Sequence, residues 1–246
     1  MRLLVELEPT KRFVPDEKYF NKLQGFIYSQ LRKTKFSQLH DTKGYKFFSF
    51  SNMFPKKTKR GKHYLFLVAS PNPKFISTLG KQLSSIKEEI NIGEGLYQIH
   101  HHQPLKINLN TQFTLKTATP IVIRIPKYRY KEYGIESERP FEFWRPDYDF
   151  QAFIKQLTEN LFKKFNQFHN TQVREVPLFS EFEYTGPKWV HPVINGKEVK
   201  MLGTYWKFRF QGTTEAQKKI LQFGLDTGLG ELNSLGMGFV NEVKKC

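Results

Sequence analysis

The feature that most constrains the fold is an order of strand and helix patterns that occurs twice along the chain. Within residues 2–107, alternating apolar runs and apolar residues at helical spacing predict strand, helix, strand, strand, helix, strand. The predicted elements are residues 2–8, a helix opened by Pro15 and Asp16 that runs to Leu31, and residues 47–50, 63–69, 74–86 and 96–107. This order is that of a ferredoxin-like βαββαβ unit.

The second half of the chain predicts the same order with one irregular insertion at residues 126–146. The predicted elements are strands 113–115 and 121–125, a helix over 147–168, strands 178–184 and 200–210 around an Asn195-Gly196 turn, a helix over 214–223 with a Thr214–Gln217 capping box, and strand 238–243. We therefore predict an α+β fold of two tandem ferredoxin-like (RRM/RAMP-like) domains, residues 1–108 and 109–246.

The charge of the chain narrows the class of partner. A net charge of +16, from 39 Lys+Arg against 23 Asp+Glu, predicts a polyanionic partner such as nucleic acid. A lysine-rich thermophilic surface is the alternative, but such surfaces usually gain Glu together with Lys. The single cysteine, Cys246, excludes an intrachain disulfide, and we find neither a signal peptide nor a membrane span. The expected location is the cytoplasm.

A glycine-rich segment lies near the C-terminal end of the sequence. Five of the 16 glycines fall between Gly224 and Gly238, in the stretch GLDTGLGELNSLGMG. Glycine permits positive φ and close backbone approach, so such a loop can present N–H groups to phosphates. The alternative is a loop that needs glycine only for tight packing. A dinucleotide fingerprint is excluded, because the glycines here follow a helix and precede a strand.

This segment resembles the C-terminal signature of the RAMP superfamily, specifically of the CRISPR-associated endoribonucleases that cut precursor crRNA (Cas family six). The matching residues are Gly228, Gly230, Asn233, Ser234, Gly236 and Gly238. The resemblance implies a metal-independent endoribonuclease in which the 2′-hydroxyl attacks the adjacent phosphate, leaving 2′,3′-cyclic phosphate and 5′-hydroxyl ends. It also implies that these six residues bind CRISPR repeat RNA.

The same resemblance implies a catalytic set in the N-terminal domain. A tyrosine on the first helix, a histidine in a His-x-x-Lys-Gly stretch and a lysine six residues beyond it match Tyr28, His40 and Lys46. We expect His40 to transfer a proton, Lys46 to stabilise the phosphorane, and Tyr28 to hold or activate the 2′-hydroxyl. The roles of base and acid stay open between Tyr28 and His40.

Two further groups of residues are interpreted as RNA contacts. The first is a basic loop at residues 55–62, whose Lys56, Lys57, Lys59 and Arg60 have no acidic neighbour in the sequence. The second is Arg129, in a stretch where cationic and aromatic residues alternate. His100 and His102 would share one strand face, but with no Cys or acidic residue nearby we predict no metal site and no cofactor.

Other functions stay open at this point. A non-catalytic crRNA-binding RAMP protein is the alternative to a nuclease. An RRM-like RNA-binding protein of another class is a weaker alternative, because this sequence has no RNP1-type string on a central strand. The sequence does not distinguish a chain that acts alone from a homodimer or a subunit of a CRISPR effector complex.

Overall fold

The computed structural model describes residues 1–11, 19–59, 61–194 and 196–243. The chain forms two compact units, one of Met1–Ile107 with Ser234–Gly236 and one of Asn108–Asn233 with Met237–Cys246. Pro15 and Asp16, predicted to open the first helix, lie outside the described residues, as do Arg60, Asn195 and Cys246. Of the helices in the described ranges, none combines the length and apolarity needed to cross a membrane.

The first unit is a six-stranded antiparallel sheet with two helices. Its elements are β1 (Arg2–Pro9), α1 (Tyr19–Leu31), β2 (Ser49–Phe50), β3 (Phe54–Thr58), β4 (Gly61–Ala69), α2 (Pro73–Ser85), β5 (Ile90–Ile92) and β6 (Gly95–Leu105). The strand order is β2-β4-β1-β6-β5, and β3 also pairs with β4.

Apolar residues at alternate positions of β1 build the core of this unit. Leu3, Val5 and Leu7 are all buried, because successive strand side chains point to opposite faces. The two helices cover this face through residues at helical spacing, and all of these are buried too: Leu23, Ile27 and Leu31 on α1, and Phe75, Leu79 and Leu83 on α2. The opposite face of β1 carries Glu6 and Glu8.

The second unit repeats the arrangement with an insertion. Its elements are β7 (Phe113–Thr117), β8 (Arg124–Pro126), α3 (Tyr130–Tyr133), β9 (Phe141–Phe143), α4 (Phe150–His169), β10 (Glu181–Val190), β11 (Val193–Ile194), β12 (Lys197–Glu198), β13 (Met201–Phe210), α5 (Glu215–Thr227) and β14 (Val240–Glu242). The main sheet has the order β10-β13-β7-β14. Trp206 on this sheet stacks on Phe153 of α4 at a centroid distance of 4.2 Å.

Both sheets confirm the predicted ferredoxin-like order. In β2-β4-β1-β6 and in β10-β13-β7-β14, the first strand of the unit lies between its third and fourth strands, and the second strand lies outermost. The predicted capping box of α5 is also present, with Thr214 and Gln217 each bonding to the other's backbone.

Three strand predictions differ from the structure. Residues 54–58 form β3 rather than a loop, because their backbone pairs with β4 despite the lysines and proline. The predicted strand 121–125 contributes only isolated bridges at Ile121 and Val122 before β8 begins at Arg124. The strand predicted at 178–184 begins later and runs to Val190, so β10 and β13 form a longer hairpin than expected.

Candidate active site and glycine segment

The structure brings Tyr28, His40 and Lys46 together. Tyr28 lies on α1, and the chain then passes through a 3-10 turn at Ser37–Leu39 that presents His40 beside it. The Tyr28 and His40 rings meet edge to face with centroids 5.2 Å apart. Lys46 Nζ lies 5.2 Å from the centre of the Tyr28 ring and donates a 2.7 Å hydrogen bond to the His40 carbonyl.

His40 is the exposed member of this group, with 69% of its side chain accessible. Its Nδ1 lies 2.6 Å from a carboxylate oxygen of Asp41. Because an ionised carboxylate only accepts hydrogen bonds, Nδ1 carries a hydrogen, and in the neutral imidazole Nε2 has the lone pair. Asp41 was not singled out from the sequence, although its position directly after His40 was a signal for this pairing.

Tyr28 is the buried member, with 8% of its surface exposed. Burial raises the pKa of Tyr28 to about 12, and nearby Ser234 and Gln24 oppose this rise. Within the described part of the chain the hydroxyl nevertheless has no hydrogen-bond partner of regular geometry. Gln24 Nε2 also donates to the Ser234 carbonyl at 2.9 Å, so both groups lie beside the Tyr28 hydroxyl. At neutral pH Tyr28 is therefore a protonated phenol with its hydroxyl away from solvent.

Lys46 is intermediate in exposure. Burial lowers the pKa of Lys46, and the negative charge of Asp41 opposes that effect. The exposed imidazole, the lysine and the carboxylate thus form one polar cluster supported by the Tyr28 ring, with Phe48 packed against the other side of the tyrosine at 5.7 Å. Such a cluster can exchange a proton and hold an anion.

The glycines of the C-terminal segment serve close packing within the protein. Gly228, Gly230, Gly236 and Gly238 all have positive φ and are buried. A Cβ at Gly238 would lie 1.8 Å from the Leu229 carbonyl oxygen. Backbone N–H groups of the segment also bond to protein carbonyls, as Gly238 does to Pro120 and Leu229 does to Gly238. That Gly228, Gly230 and Gly238 lie against RNA stays a prediction, and in this structure all three are buried within the protein.

Gly236 is packed in the same way within the first unit. A Cβ there would lie 2.7 Å from the Phe20 ring and 2.8 Å from the Phe50 ring. That Gly236 contacts RNA stays a prediction. Ser234, two residues earlier, is partly exposed.

A buried lysine, missed in the sequence, holds the rest of the segment. Lys164 of α4 is 1% exposed, and its Nζ donates to the carbonyls of Gly228 and Gly230 and to Asn233 Oδ1 at 2.6, 3.0 and 2.9 Å. Asn233 Nδ2 in turn donates to the carbonyls of Leu229 and Met237. Burial lowers the pKa of Lys164 to about 7, and Glu231 opposes this. Asn233, expected to contact RNA, instead closes the loop on itself.

Comparisons with known proteins place this arrangement in a family. A model of the CRISPR associated protein Cas6 C-terminal region matches residues 101–242, which is more than half of the chain. The chain belongs to the Cas6 family. It is 30% identical to "CRISPR-associated endoribonuclease Cas6 2" of Methanocaldococcus jannaschii, covering 99% of this chain and 100% of that protein. It is also 28% identical to a Cas6 endoribonuclease of Haloferax mediterranei, covering 100% of this chain and 94% of that one.

Solved structures agree with the Cas6 fold. A structure described as CRISPR associated protein Cas6 has a TM-score of 0.71 at 24% identity, covering 99% of both chains. Another, described as a RAMP protein binding different RNA substrates, has a TM-score of 0.73 at 20% identity and covers 99% of this chain and 100% of that one. The tandem ferredoxin-like fold predicted from the sequence is therefore confirmed over the length of the chain.

Two of the cations expected to bind RNA in this Cas6 chain have protein partners. Lys56 donates to both carboxylate oxygens of Glu6 at 2.9 Å, so the expectation that the basic stretch lacks an acidic partner is wrong. Strand β1 supplies that partner from 50 residues away in sequence. Lys57 and Lys59 are exposed on the same hairpin, and Arg60 lies outside the described residues.

Arg129 is the second such cation. Its guanidinium bonds to Glu159 of α4 at 2.7 Å, with 17% and 9% of the two side chains exposed. Burial acts to lower the pKa of Arg129, but hydrogen bonds with Tyr133, Tyr128 and Glu159 outweigh it and raise that pKa. This ion pair ties the insertion to α4 and leaves little of Arg129 for RNA.

His100 and His102 do not share a strand face as expected. In the pairing of β1 with β6, Glu6 lies opposite His101 and Leu7 opposite Ile99, so His100 is an additional residue in a β-bulge. His102 lies toward α2, where its Nε2 is 3.0 Å from Ser84 Oγ. His100 lies 3.7 Å from Glu8, so the expectation of no nearby acidic residue is also wrong.

Proposed function

We propose that this Cas6-family protein is a metal-independent endoribonuclease that cuts CRISPR precursor RNA within the repeat. The reaction is attack of the 2′-hydroxyl on the adjacent phosphate with expulsion of the 5′-oxygen, giving a 2′,3′-cyclic phosphate and a 5′-hydroxyl. One observation carries the proposal: His40 and Lys46 lie side by side at an exposed position on the buried Tyr28. The names of the curated relatives add support for RNA cleavage.

His40 is the proton-transfer group in this proposal. Asp41 holds Nδ1, so the accessible Nε2 can accept a proton from the attacking 2′-hydroxyl. Once protonated, the same imidazole stays paired with the Asp41 carboxylate, which favours the cation. The 5′-oxygen takes its proton from solvent or from Lys46.

Lys46 supplies positive charge to the phosphorane. Among the described residues its ammonium makes one hydrogen bond, to the His40 carbonyl. An ammonium has three donors, so two can point to phosphate oxygens. Charge placed where it develops in the transition state is commonly the largest electrostatic contribution to catalysis.

Tyr28 is a positioning residue in this proposal. A phenol with a pKa of about 12 holds its proton at neutral pH, so it is a poor general base. Its hydroxyl is also buried, whereas its ring contacts both His40 and Lys46. These contacts support a proposal in which His40 exchanges the proton and the Tyr28 ring positions His40 and Lys46.

RNA binding rests on the net positive charge of the chain and on the exposed Lys57 and Lys59. Neutralising these two lysines should reduce the slope of log affinity against log salt by about one for each phosphate that is no longer neutralised. Ser234 stays a proposed RNA contact because it is partly exposed next to Gln24. The RNA-binding state in this proposal is one chain, a homodimer or a chain within a CRISPR effector complex.

The test is a cleavage assay of the full chain with repeat RNA in excess EDTA. A matched RNA with a single 2′-deoxy nucleotide at the cut site is the control, since it lacks the attacking oxygen. We expect cleavage of the first RNA only, with a cyclic phosphate that resists phosphatase until acid opens it. Tight binding without cleavage of either RNA would instead indicate a crRNA-binding RAMP protein, and cleavage of the 2′-deoxy RNA would overturn the mechanism.

A further inference from the structure

A second cluster of titratable side chains lies on the face of the first sheet opposite the helices. It contains two carboxylates, Glu6 and Glu8 of β1, and two imidazoles, His63 of β4 and His100 of β6. One ligand atom each of Glu6, His63 and His100 lie within 4.8 Å of one another. Glu8 adjoins both imidazoles, 4.0 Å from His63 Nε2 and 3.7 Å from His100 Nδ1. The proposed nuclease site uses none of these residues.

Glu6 fixes the orientation of His63. Its Oε1 lies 2.7 Å from His63 Nδ1, and both of its oxygens also accept from Lys56. Because the Lys56 ammonium keeps this carboxylate ionised, Nδ1 of His63 carries a hydrogen, and in the neutral imidazole the lone pair is on Nε2, the nitrogen next to Glu8. Metal-binding histidines usually donate the N–H of the other ring nitrogen to a carboxylate, a backbone carbonyl or water.

The β-bulge in β6 places His100 on the same face. Without the additional residue, His100 would lie opposite Leu7, on the face covered by the helices, because strand side chains alternate between faces. With it, the imidazole of His100 lies against that of His63, with ring centroids 4.7 Å apart. Bulges commonly redirect a side chain at a functional position.

We propose that His63 Nε2, His100 Nδ1 and the Glu8 carboxylate bind one divalent transition-metal ion such as Zn²⁺, with Glu6 orienting His63. Two histidines and one glutamate are a common zinc donor set, with a fourth position left for water. Ligand atoms about 2.0–2.2 Å from a tetrahedral ion lie roughly 3.3–3.5 Å apart. The observed separations are 3.7 Å from His100 Nδ1 to Glu8 Oε2 and 4.0 Å from His63 Nε2 to Glu8 Oε1, so the side chains must move closer to bind one ion. His100 and Glu8 can move, since half of one side chain and 44% of the other are exposed.

The donor set also selects the class of ion. Imidazole nitrogens suit zinc, cobalt, nickel and copper, whereas magnesium and calcium prefer oxygen ligands. The ion would join β1, β4 and β6 across the sheet. RNA cleavage by the His40 site is expected to continue in EDTA, and the failure of either proposal would leave the other standing.

The experiment is a Co²⁺ titration of the full, tag-free chain, followed by visible absorption and then by displacement with Zn²⁺. We expect one tightly bound Co²⁺ per chain, with His100→Ala weakening binding by more than the roughly 10–100-fold that is typical when a residue orienting a ligand is mutated. Glu6→Gln should weaken binding by about that 10–100-fold, because it loosens His63 without removing a ligand. His101→Ala is the matched control, since this exposed neighbour lies outside the cluster.

Three results would overturn the proposal. These are no saturable Co²⁺ binding by the natural chain, binding that survives His100→Ala, and an equal loss in His101→Ala, which would indicate adventitious binding by adjacent surface histidines. Circular dichroism checks that each variant is folded. If His100→Ala does not fold, Glu8→Gln decides, because it removes a ligand while keeping the size of a half-exposed side chain.

Discussion

Lys46 and Lys164 both donate to backbone carbonyls, and the difference between them separates a proposed chemical site from a structural one. Lys164 is buried and, when protonated, donates to three acceptors of the glycine segment. Lys46 lies beside the exposed His40 and, among the described residues, bonds to one carbonyl. A lysine whose three donors are all satisfied by protein has none left for a phosphate. Exposure and unused donors therefore distinguish the two roles where residue type does not.

The largest expected effect is on the cleavage rate of the proposed site that contains His40 and Lys46. His40→Ala should lower the cleavage rate about 10²–10⁴-fold, the usual contribution of general acid–base catalysis, because no other group described here replaces Nε2. RNA affinity and the melting temperature should stay nearly unchanged, since His40 is exposed. Single-turnover cleavage and filter binding measure the two quantities. His101→Ala provides a histidine control, and a His40→Ala protein that cuts at the natural rate would remove His40 from the mechanism.

The next largest effect is on stability and concerns the close packing of the glycine segment. Gly238→Ala should lower the free energy of unfolding by roughly 2–5 kcal/mol, because the added Cβ meets the Leu229 carbonyl and φ is +68°. Gly212→Ala is the matched control, since its φ of +62° is similar but no atom lies within 4 Å of the added carbon. Its expected cost is about 1–2 kcal/mol. Urea unfolding compares the two, and equal losses would show that the close packing of Gly238 does not matter.

The third effect is a pH dependence of the free energy of unfolding that arises from the buried Lys164. The pKa of Lys164 is about 7 in the folded chain and near its ordinary 10.5 when unfolded. Between these values the unfolded state holds more protons, so the free energy of unfolding should rise with pH, by up to about 1.4 kcal/mol per unit, and level off below pH 7. Urea unfolding of Lys164→Met should lack this rise, whereas the neighbouring exposed Lys163→Met should keep it. The same rise in Lys164→Met would assign it to other groups.

The smallest effect tests the role of the buried phenol. Tyr28→Phe should change the cleavage rate by less than about fivefold, because the hydroxyl it removes is buried without a regular partner and the ring remains. Tyr28→Leu, which removes the ring contacts with His40 and Lys46, should lower the rate further at unchanged RNA affinity. A loss in Tyr28→Phe as large as that in His40→Ala would return Tyr28 to direct proton transfer.

The sequence predicted the parts of the fold that depend on regular spacing. The alternation in β1 and the helical spacing of Leu23, Ile27 and Leu31 each follow from which face must be buried. The set of Tyr28, His40 and Lys46 came from family resemblance, and the structure shows that these residues meet, while their roles stay proposals.

What the sequence missed depends on contacts between distant segments. The Glu6–Lys56 pair requires β3 to form against β4, and a lysine run gives no strand signal. The bulge at His100 is one additional residue in a ladder, which reverses the expected face without a signature in the strand itself. The glycines were noticed, but only their packing against Leu229 and Phe50 shows that protein atoms fill the space beside them.

The assignment of Ser234–Gly236 to the first unit has a consequence for synthesis on the ribosome. The Gln24–Ser234 hydrogen bond joins residues 210 positions apart, so the first unit cannot complete its surroundings of Tyr28 until nearly all of the chain has been translated. Such long-range closure comes late in folding because its loop entropy is lost before the contact forms. A nascent chain would therefore carry His40 and Lys46 on an unfinished support, and nuclease activity would begin only when translation is almost complete.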